Sequence, residues 1–169
     1  GIALKQDRDE LKYKDSIREF MSQLGEAKCV VLVLGAQYFE SKYCMFELLE
    51  IFRHPDALPR VFPIVLPNSK LQDPQGRVKI LRYWEGKVAE LNATLTGLQQ
   101  TKMRTVHEEL DFYDDVRTKL DSIMRQLNDL NCRSLDEHSA AGFSEIVDAV
   151  EATLSTETAR NSHESSTSA

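Results

Sequence analysis

The sequence lacks an apolar run long enough to cross a lipid bilayer, and no signal peptide is visible. Positive charge is not in excess either. The formal net charge of −6 argues against general nucleic-acid binding through a basic face. The composition, 41% hydrophobic and 28% charged, fits a soluble globular protein. We therefore expect a cytoplasmic protein that contacts neither a membrane nor nucleic acid directly.

Several kinds of binding site are missing from the sequence as well. It contains no glycine-rich phosphate loop, so classical dinucleotide binding at a helix N-terminus is not supported. The four histidines share no spacing with each other or with cysteine, and we expect no metal site and no cofactor. The three cysteines, Cys29, Cys44 and Cys132, are widely spaced, which is typical of buried thiols in a reducing compartment.

The first half of the sequence alternates strand and helix patterns. An unbroken apolar run from Cys29 to Leu34 predicts a strand buried on both faces, as in parallel sheets. The elements predicted in this half are strands at 2–6, 30–34 and 61–66 and helices at 17–24 and 43–53. Strands that alternate with helices predict an α/β fold with a parallel sheet and right-handed crossovers.

The second half has a helical period instead. Apolar residues recur at spacings of three and four on both sides of a polar break at 99–104, which predicts two long amphipathic helices packed as a hairpin within 77–135. A last helix is predicted from Phe143 to Leu154. The segment 155–169 has no apolar anchor, and we expect it to be a disordered tail.

A possible small-molecule site lies where the central strand feeds the next helix. Tyr43 and Glu47 are four residues apart, so they share one face of the helix. The apolar residues at offsets of three, four and seven form another face: Met45, Leu48, Leu49 and Phe52. An aromatic ring and a carboxylate in the first turns of a helix after a buried strand indicate a ligand site.

Several blocks of the sequence, in this order, resemble the Toll/interleukin-1 receptor (TIR) domain family. They are Asp7 with Leu11 to Ile17, Val30 to Leu34, Tyr38 to Leu48, and Phe62 to Val65. The pattern Ser-x-aromatic-Cys-x-x-Glu-Leu at 41–48 is similar to the prokaryotic and plant-type, NAD-cleaving members. The resemblance implies a flavodoxin-like parallel sheet flanked by helices over 1–154, with the helical hairpin as an elaboration. It also implies that the first strand and helix of the family are missing, so we expect this chain alone to be truncated, poorly folded and inactive.

The resemblance implies cleavage of NAD at the bond between nicotinamide and ribose. NAD is then a substrate, and the products are nicotinamide plus ADP-ribose or a cyclic form, made in immune or antiphage defence signalling. Glu47 matches the catalytic glutamate, and the implied substrate-binding residues are Tyr43, Ser41 and Asp7. The charged loop 8–15 is implied to act as a lid or in self-association with other TIR domains, with Arg8, Leu11 and Tyr13 as its assembly residues.

Simpler interpretations of these residues stay open. Glu47 also fits a solvated carboxylate favoured by the helix dipole, and Tyr43 fits a packing aromatic. Ser41 and Asp7 fit a helix-entry residue and a strand-end turn residue. The alternative function is a non-catalytic TIR signalling module that acts by self-association.

Overall fold

The structure is a computed structural model that describes residues 17–96, 103–130 and 132–166. The described residues fall into two compact units, one comprising 17–33, 46–67 and 132–166 and the other 34–45, 68–96 and 103–130. The strands are β1 (Val30–Leu34) and β2 (Val61–Val65). The helices are α1 (Ile17–Gly25), α2 (Lys42–Phe52), α3 (Ala57–Arg60), α4 (Pro74–Leu95), α5 (Arg104–Asp129), α6 (Leu135–Ala140) and α7 (Ser144–Ser166).

The sheet confirms the predicted fold class. β1 and β2 are neighbours in a parallel sheet flanked by helices, as in a flavodoxin-like α/β fold. A single parallel bridge between Val65 and Ser134 adds a further segment beside β2. The strand predicted at 2–6 lies outside the described residues.

The two faces of β1 differ, contrary to the expectation of burial on both. Val30, Leu32 and Leu34 are buried, whereas Val31 and Val33 are 38% and 51% exposed. An unbroken apolar run does not reveal which face is covered, because both faces then carry the same type of residue. One face of β1 therefore belongs to the core, and the other is open.

A buried arginine ties together two segments of the first unit. Arg60 is only 7% exposed, and its Nη1 donates to the carbonyl oxygens of Gly25 at 3.1 Å and Ala27 at 2.6 Å. These carbonyls lie at and just after the end of α1, where helical acceptors lose their intrahelical partners. Arg60 therefore caps α1 from the end of α3.

The second unit contains the predicted helical hairpin. α4 begins earlier than its apolar period indicates, because the carboxylate of Asp73 accepts from the backbone N–H groups of Gln75 and Gly76 and Pro74 occupies the first turn. α4 and α5 pack against each other. Their buried hydrophobic side chains are Ile80, Trp84, Val116, Leu120, Ile123, Met124 and Leu127.

The C-terminal helix extends further than the sequence predicts. α6 begins with a capping box in which Ser134 and Glu137 satisfy each other's backbone N–H groups. α7 then runs to Ser166, although the sequence predicts disorder from Ser155. The hydroxyls of Ser155 and Thr156 donate to carbonyls four residues earlier. Because these hydroxyls find their acceptors within α7, the helix can continue here without apolar residues.

Candidate functional site

A serine forms the start of α2. A 3₁₀ turn, Tyr38–Glu40, leads into the helix. The Ser41 hydroxyl oxygen then accepts from the Cys44 N–H at 3.4 Å, and the Ser41 carbonyl accepts from the Met45 N–H at 3.0 Å. Ser41 is thus a helix-entry residue. Because its oxygen accepts in the cap, its hydroxyl hydrogen is still available to donate.

Tyr43 and Glu47 lie one turn apart on α2. The Tyr43 side chain is 58% exposed, whereas Glu47 is half-buried. The buried apolar residues of the helix are Met45, Leu48 and Ile51. Leu49 and Phe52, expected among them, are only half-buried, because the buried residues follow a spacing of three that brings in Ile51 instead. The exposure of Tyr43 argues against a plain packing role.

The second carboxylate of α2 has different surroundings. Glu50 lies on the buried side and is 9% exposed. Its Oε1 pairs with Nη2 of Arg53 at 2.8 Å, and the Arg53 side chain is 70% exposed. The two glutamates of α2, three residues apart, are therefore not equivalent, and Glu47 is the more accessible one.

The other residues predicted to contribute to the site lie outside the described residues. They are Asp7, Arg8, Leu11 and Tyr13, together with the rest of the loop 8–15. Their assignments remain predictions.

Sequence reasoning missed a polar cluster around Lys42, the first residue of α2. The Lys42 ammonium lies 2.8 Å from Oε1 of Glu109 on α5, and the hydroxyl of Tyr113 donates to the same carboxylate oxygen. Lys42 also lies over the Tyr113 ring, 5.9 Å from its centroid. Glu109 and Tyr113 are one turn apart on α5, a spacing that the sequence displays. Nothing in the sequence indicates that Lys42 meets them.

The cluster shifts the ionisation of two of its members. The hydrogen bonds from Lys42 and Tyr113 lower the pKa of Glu109 below its usual value, because they stabilise the carboxylate. Burial raises the pKa of Tyr113, and the bond to the Glu109 carboxylate raises it further. At neutral pH, Glu109 is therefore the acceptor and both neighbours are donors.

Two further contacts hold the turn that precedes α2. The indole N–H of Trp84 donates to the carbonyl of Phe39 at 2.7 Å, and both residues are fully buried. The Lys70 ammonium bonds Oε1 of Glu40 at 2.6 Å. Trp84 therefore lies in the core of the hairpin and also fixes the entry to α2.

Neither a metal-binding cluster nor a membrane-spanning helix is found among the described residues. Within 17–96, 103–130 and 132–166, no group of three histidine, cysteine or acidic side chains is arranged to hold a metal ion. None of the helices in these ranges is both long enough and apolar enough to cross a bilayer.

Comparison with known protein families decides the family. A family model described as TIR domain matches residues 1–95, more than half of the chain. The chain belongs to the TIR domain family. The matched part of this TIR domain includes Ser41, Tyr43 and Glu47 and ends at the last residue of α4, so α5, α6 and α7 lie beyond it. No curated protein and no solved structure matches the chain.

Membership of the TIR family supports a role as a signalling domain, and TIR domains commonly self-associate. The resemblance inferred from the sequence is therefore confirmed at the level of the family. The Lys42 cluster joins the two parts of the chain that this comparison distinguishes, because Lys42 is inside the matched region and Glu109 and Tyr113 are outside it.

Proposed function

We propose that this TIR domain cleaves NAD between nicotinamide and ribose, in defence signalling. The observation that carries the proposal is the start of α2, where the exposed ring of Tyr43 precedes the half-buried Glu47 carboxylate by one turn. Both residues lie in the region that matches a family with NAD-cleaving members. The products would be nicotinamide plus ADP-ribose or a cyclic form of ADP-ribose.

The chemistry requires few groups. The bond from ribose C1′ to the pyridine nitrogen breaks, and its electron pair goes to that nitrogen, so nicotinamide leaves as a neutral molecule without needing a proton. Positive charge develops on the ribose, and the Glu47 carboxylate stabilises it electrostatically. Water then adds to C1′ and loses a proton to give ADP-ribose, or an adenine nitrogen attacks C1′ to give the cyclic product.

Each of the other predicted residues has a binding role in this proposal. Tyr43 stacks on a ring of the substrate, because an exposed aromatic offers a flat apolar face. The Ser41 hydroxyl, which accepts in the helix cap, donates to a ribose oxygen. Asp7 contributes an acidic group from outside the described residues, and the loop 8–15 acts as a lid.

The direct test is to incubate the purified full-length protein with NAD and to separate the products by chromatography. We expect equal amounts of nicotinamide and of ADP-ribose or its cyclic form. The control variant is Glu85→Gln, since Glu85 is an exposed carboxylate on α4 and its replacement should leave the rate unchanged. If the folded full-length protein consumes no NAD, the proposal is wrong.

The second candidate is a non-catalytic module that signals by self-association. The exposed Tyr43 ring favours it too, because an aromatic side chain that is apolar with a polar tip is also common in protein interfaces. Self-association of the wild-type protein without NAD cleavage indicates the module. If the protein is an enzyme that works by assembly, the variant Leu11→Ala with Tyr13→Ala should lose more activity at low than at high protein concentration, whereas a concentration-independent loss indicates a lid.

A further inference from the structure

The segment that enters α2 is held at three successive points by side chains of the second unit. Trp84 binds the Phe39 carbonyl, Lys70 binds the Glu40 carboxylate, and Glu109 binds the Lys42 ammonium. Within the described residues, Ser41 and Tyr43 have no such side-chain contact, and they lie between and directly after these points. The positions of both side chains therefore depend on the contacts made by the adjacent residues, chiefly Glu40 and Lys42.

The first turn of a helix is the part that most needs such support. Its N–H groups have no intrahelical acceptors, and helix ends fray. In α2 the serine cap bond to Cys44 is long, at 3.4 Å. The Lys42–Glu109 pair is thus one contact that restrains the helical turn containing Tyr43.

The Glu109 carboxylate is itself held in place. It accepts from Tyr113, whose ring packs 5.5 Å from the Trp84 ring and 5.9 Å from the Phe112 ring. Trp84 is fully buried. An exposed lysine bound to a mobile glutamate contributes little, but here one partner is attached to the aromatic core of the hairpin.

We propose that Glu109, outside the region matched by the family, is a positioning residue that holds Lys42 and so orients Tyr43 for substrate binding. This inference rests on the proposed NAD cleavage. Glu109 does not touch the substrate. Because Lys42 and Glu109 are both partly exposed, the effect of the pair should be local, with little change in the stability of the whole domain.

The test compares Glu109→Gln with Glu108→Gln. Glu108 is the neighbouring residue, and it pairs with Arg104 on α5, away from Lys42. We expect Glu109→Gln to raise the KM for NAD by about threefold to tenfold, with kcat within about twofold of wild type. Glu108→Gln should change neither constant. Lys42→Met should raise KM like Glu109→Gln, and the double variant Lys42→Met with Glu109→Gln should be no worse than either alone.

A second measurement does not depend on activity. Hydrogen exchange at the amides of Cys44, Met45 and Phe46 reports the opening of the first turn of α2. We expect Glu109→Gln to accelerate exchange there by about threefold to tenfold and Glu108→Gln to leave it unchanged. Tyr113→Phe retains the ring and removes the hydroxyl that orients Glu109, so it should give a smaller acceleration.

The outcomes separate the inference from the proposed function. If exchange and KM in Glu109→Gln and in Lys42→Met equal those of wild type, Glu109 is not a positioning residue. A fall in kcat with KM unchanged also overturns the inference, as does a loss of global stability with both constants unchanged. If wild type releases no nicotinamide, the proposed function fails, and the exchange measurement alone decides whether Glu109 holds α2.

Discussion

The Lys42 ammonium lies 2.8 Å from a carboxylate oxygen of Glu109, so the first residue of α2 is paired with a residue of α5 about 70 positions later in the sequence. α2 carries Tyr43 and Glu47, and α5 lies outside the region matched by the TIR family. The contact therefore connects the candidate site to a part of the chain that the family comparison does not cover.

The contribution of the Lys42–Glu109 pair to stability should be lost in acid. The folded-state pKa of Glu109 is lowered, chiefly by Lys42. Its contribution to stability is therefore present above the usual value of 4.5 and is lost as the pH falls through the lowered pKa. We expect the small difference in melting temperature between wild type and Glu109→Gln at neutral pH to disappear in acid, as measured by thermal unfolding across that range. A difference that persists at the acid end would mean that the charge of Glu109 is not involved.

Two glycines of α4 should respond to alanine in opposite ways. A Cβ on Gly76 would lie 2.6 Å from the Lys70 carbonyl oxygen and 2.8 Å from its Cβ, whereas a Cβ on Gly86 meets nothing within 4 Å. We expect Gly76→Ala to lower the free energy of unfolding by about 1–3 kcal/mol through overpacking. Gly86→Ala should raise it by about 0.5–1 kcal/mol, because alanine favours a helix interior. Urea unfolding of both variants measures this, and equal effects would contradict it.

Replacement of Arg60 should lower the free energy of unfolding. Its Nη1 satisfies the carbonyls of Gly25 and Ala27 at the end of α1, and its side chain is buried. Arg60→Met removes these donors while retaining an apolar stem, so we expect a loss of about 1–3 kcal/mol in the free energy of unfolding. Arg82→Met is the comparison, since Arg82 is an exposed residue of α4 and its replacement should cost much less. Equal losses in the two variants would show that the carbonyl contacts are unimportant.

Tyr43 should govern binding more than turnover. Because its ring is exposed and is proposed to stack on the substrate, Tyr43→Ala should raise the KM for NAD and retain part of kcat. Tyr43→Trp offers a larger stacking surface and should preserve or increase activity. Steady-state kinetics measures both. A Tyr43→Ala variant with an unchanged KM would place the substrate elsewhere.

The sequence predicts the elements well where one local signal dominates. The apolar runs at 30–34 and 61–66 became parallel strands, and the helical period in the second half became α4 and α5. The exposed face of β1 was not predictable, because Val31 and Val33 look like their buried neighbours in the sequence. The sequence also did not predict the helix over 155–166. This segment has no periodic apolar residues, and hydroxyl bonds within the helix, such as that of Ser155, give no signal in the sequence.

Only the part of the candidate site that lies on α2 and at its start was predictable from the sequence. The spacing of Tyr43 and Glu47 and the serine before them are local, and α2 keeps all three together. The pairing of Lys42 with Glu109 is long-range, and so is the bond from Trp84 to the Phe39 carbonyl. Such contacts depend on how α4 and α5 pack, which periodicity alone does not determine.

In the proposed reaction the Glu47 carboxylate stabilises the ribose cation during NAD cleavage, and nicotinamide release by Glu47→Gln tests this role without any intermediate step. Glutamine retains the volume and removes the charge, so the rate should fall by on the order of 10²–10³-fold with an unchanged melting temperature. Glu50→Gln alters the other carboxylate of α2, which is buried and paired with Arg53, and should retain its turnover while folded. Wild-type nicotinamide release by Glu47→Gln, or an equal loss in a folded Glu50→Gln, would contradict the assignment of Glu47.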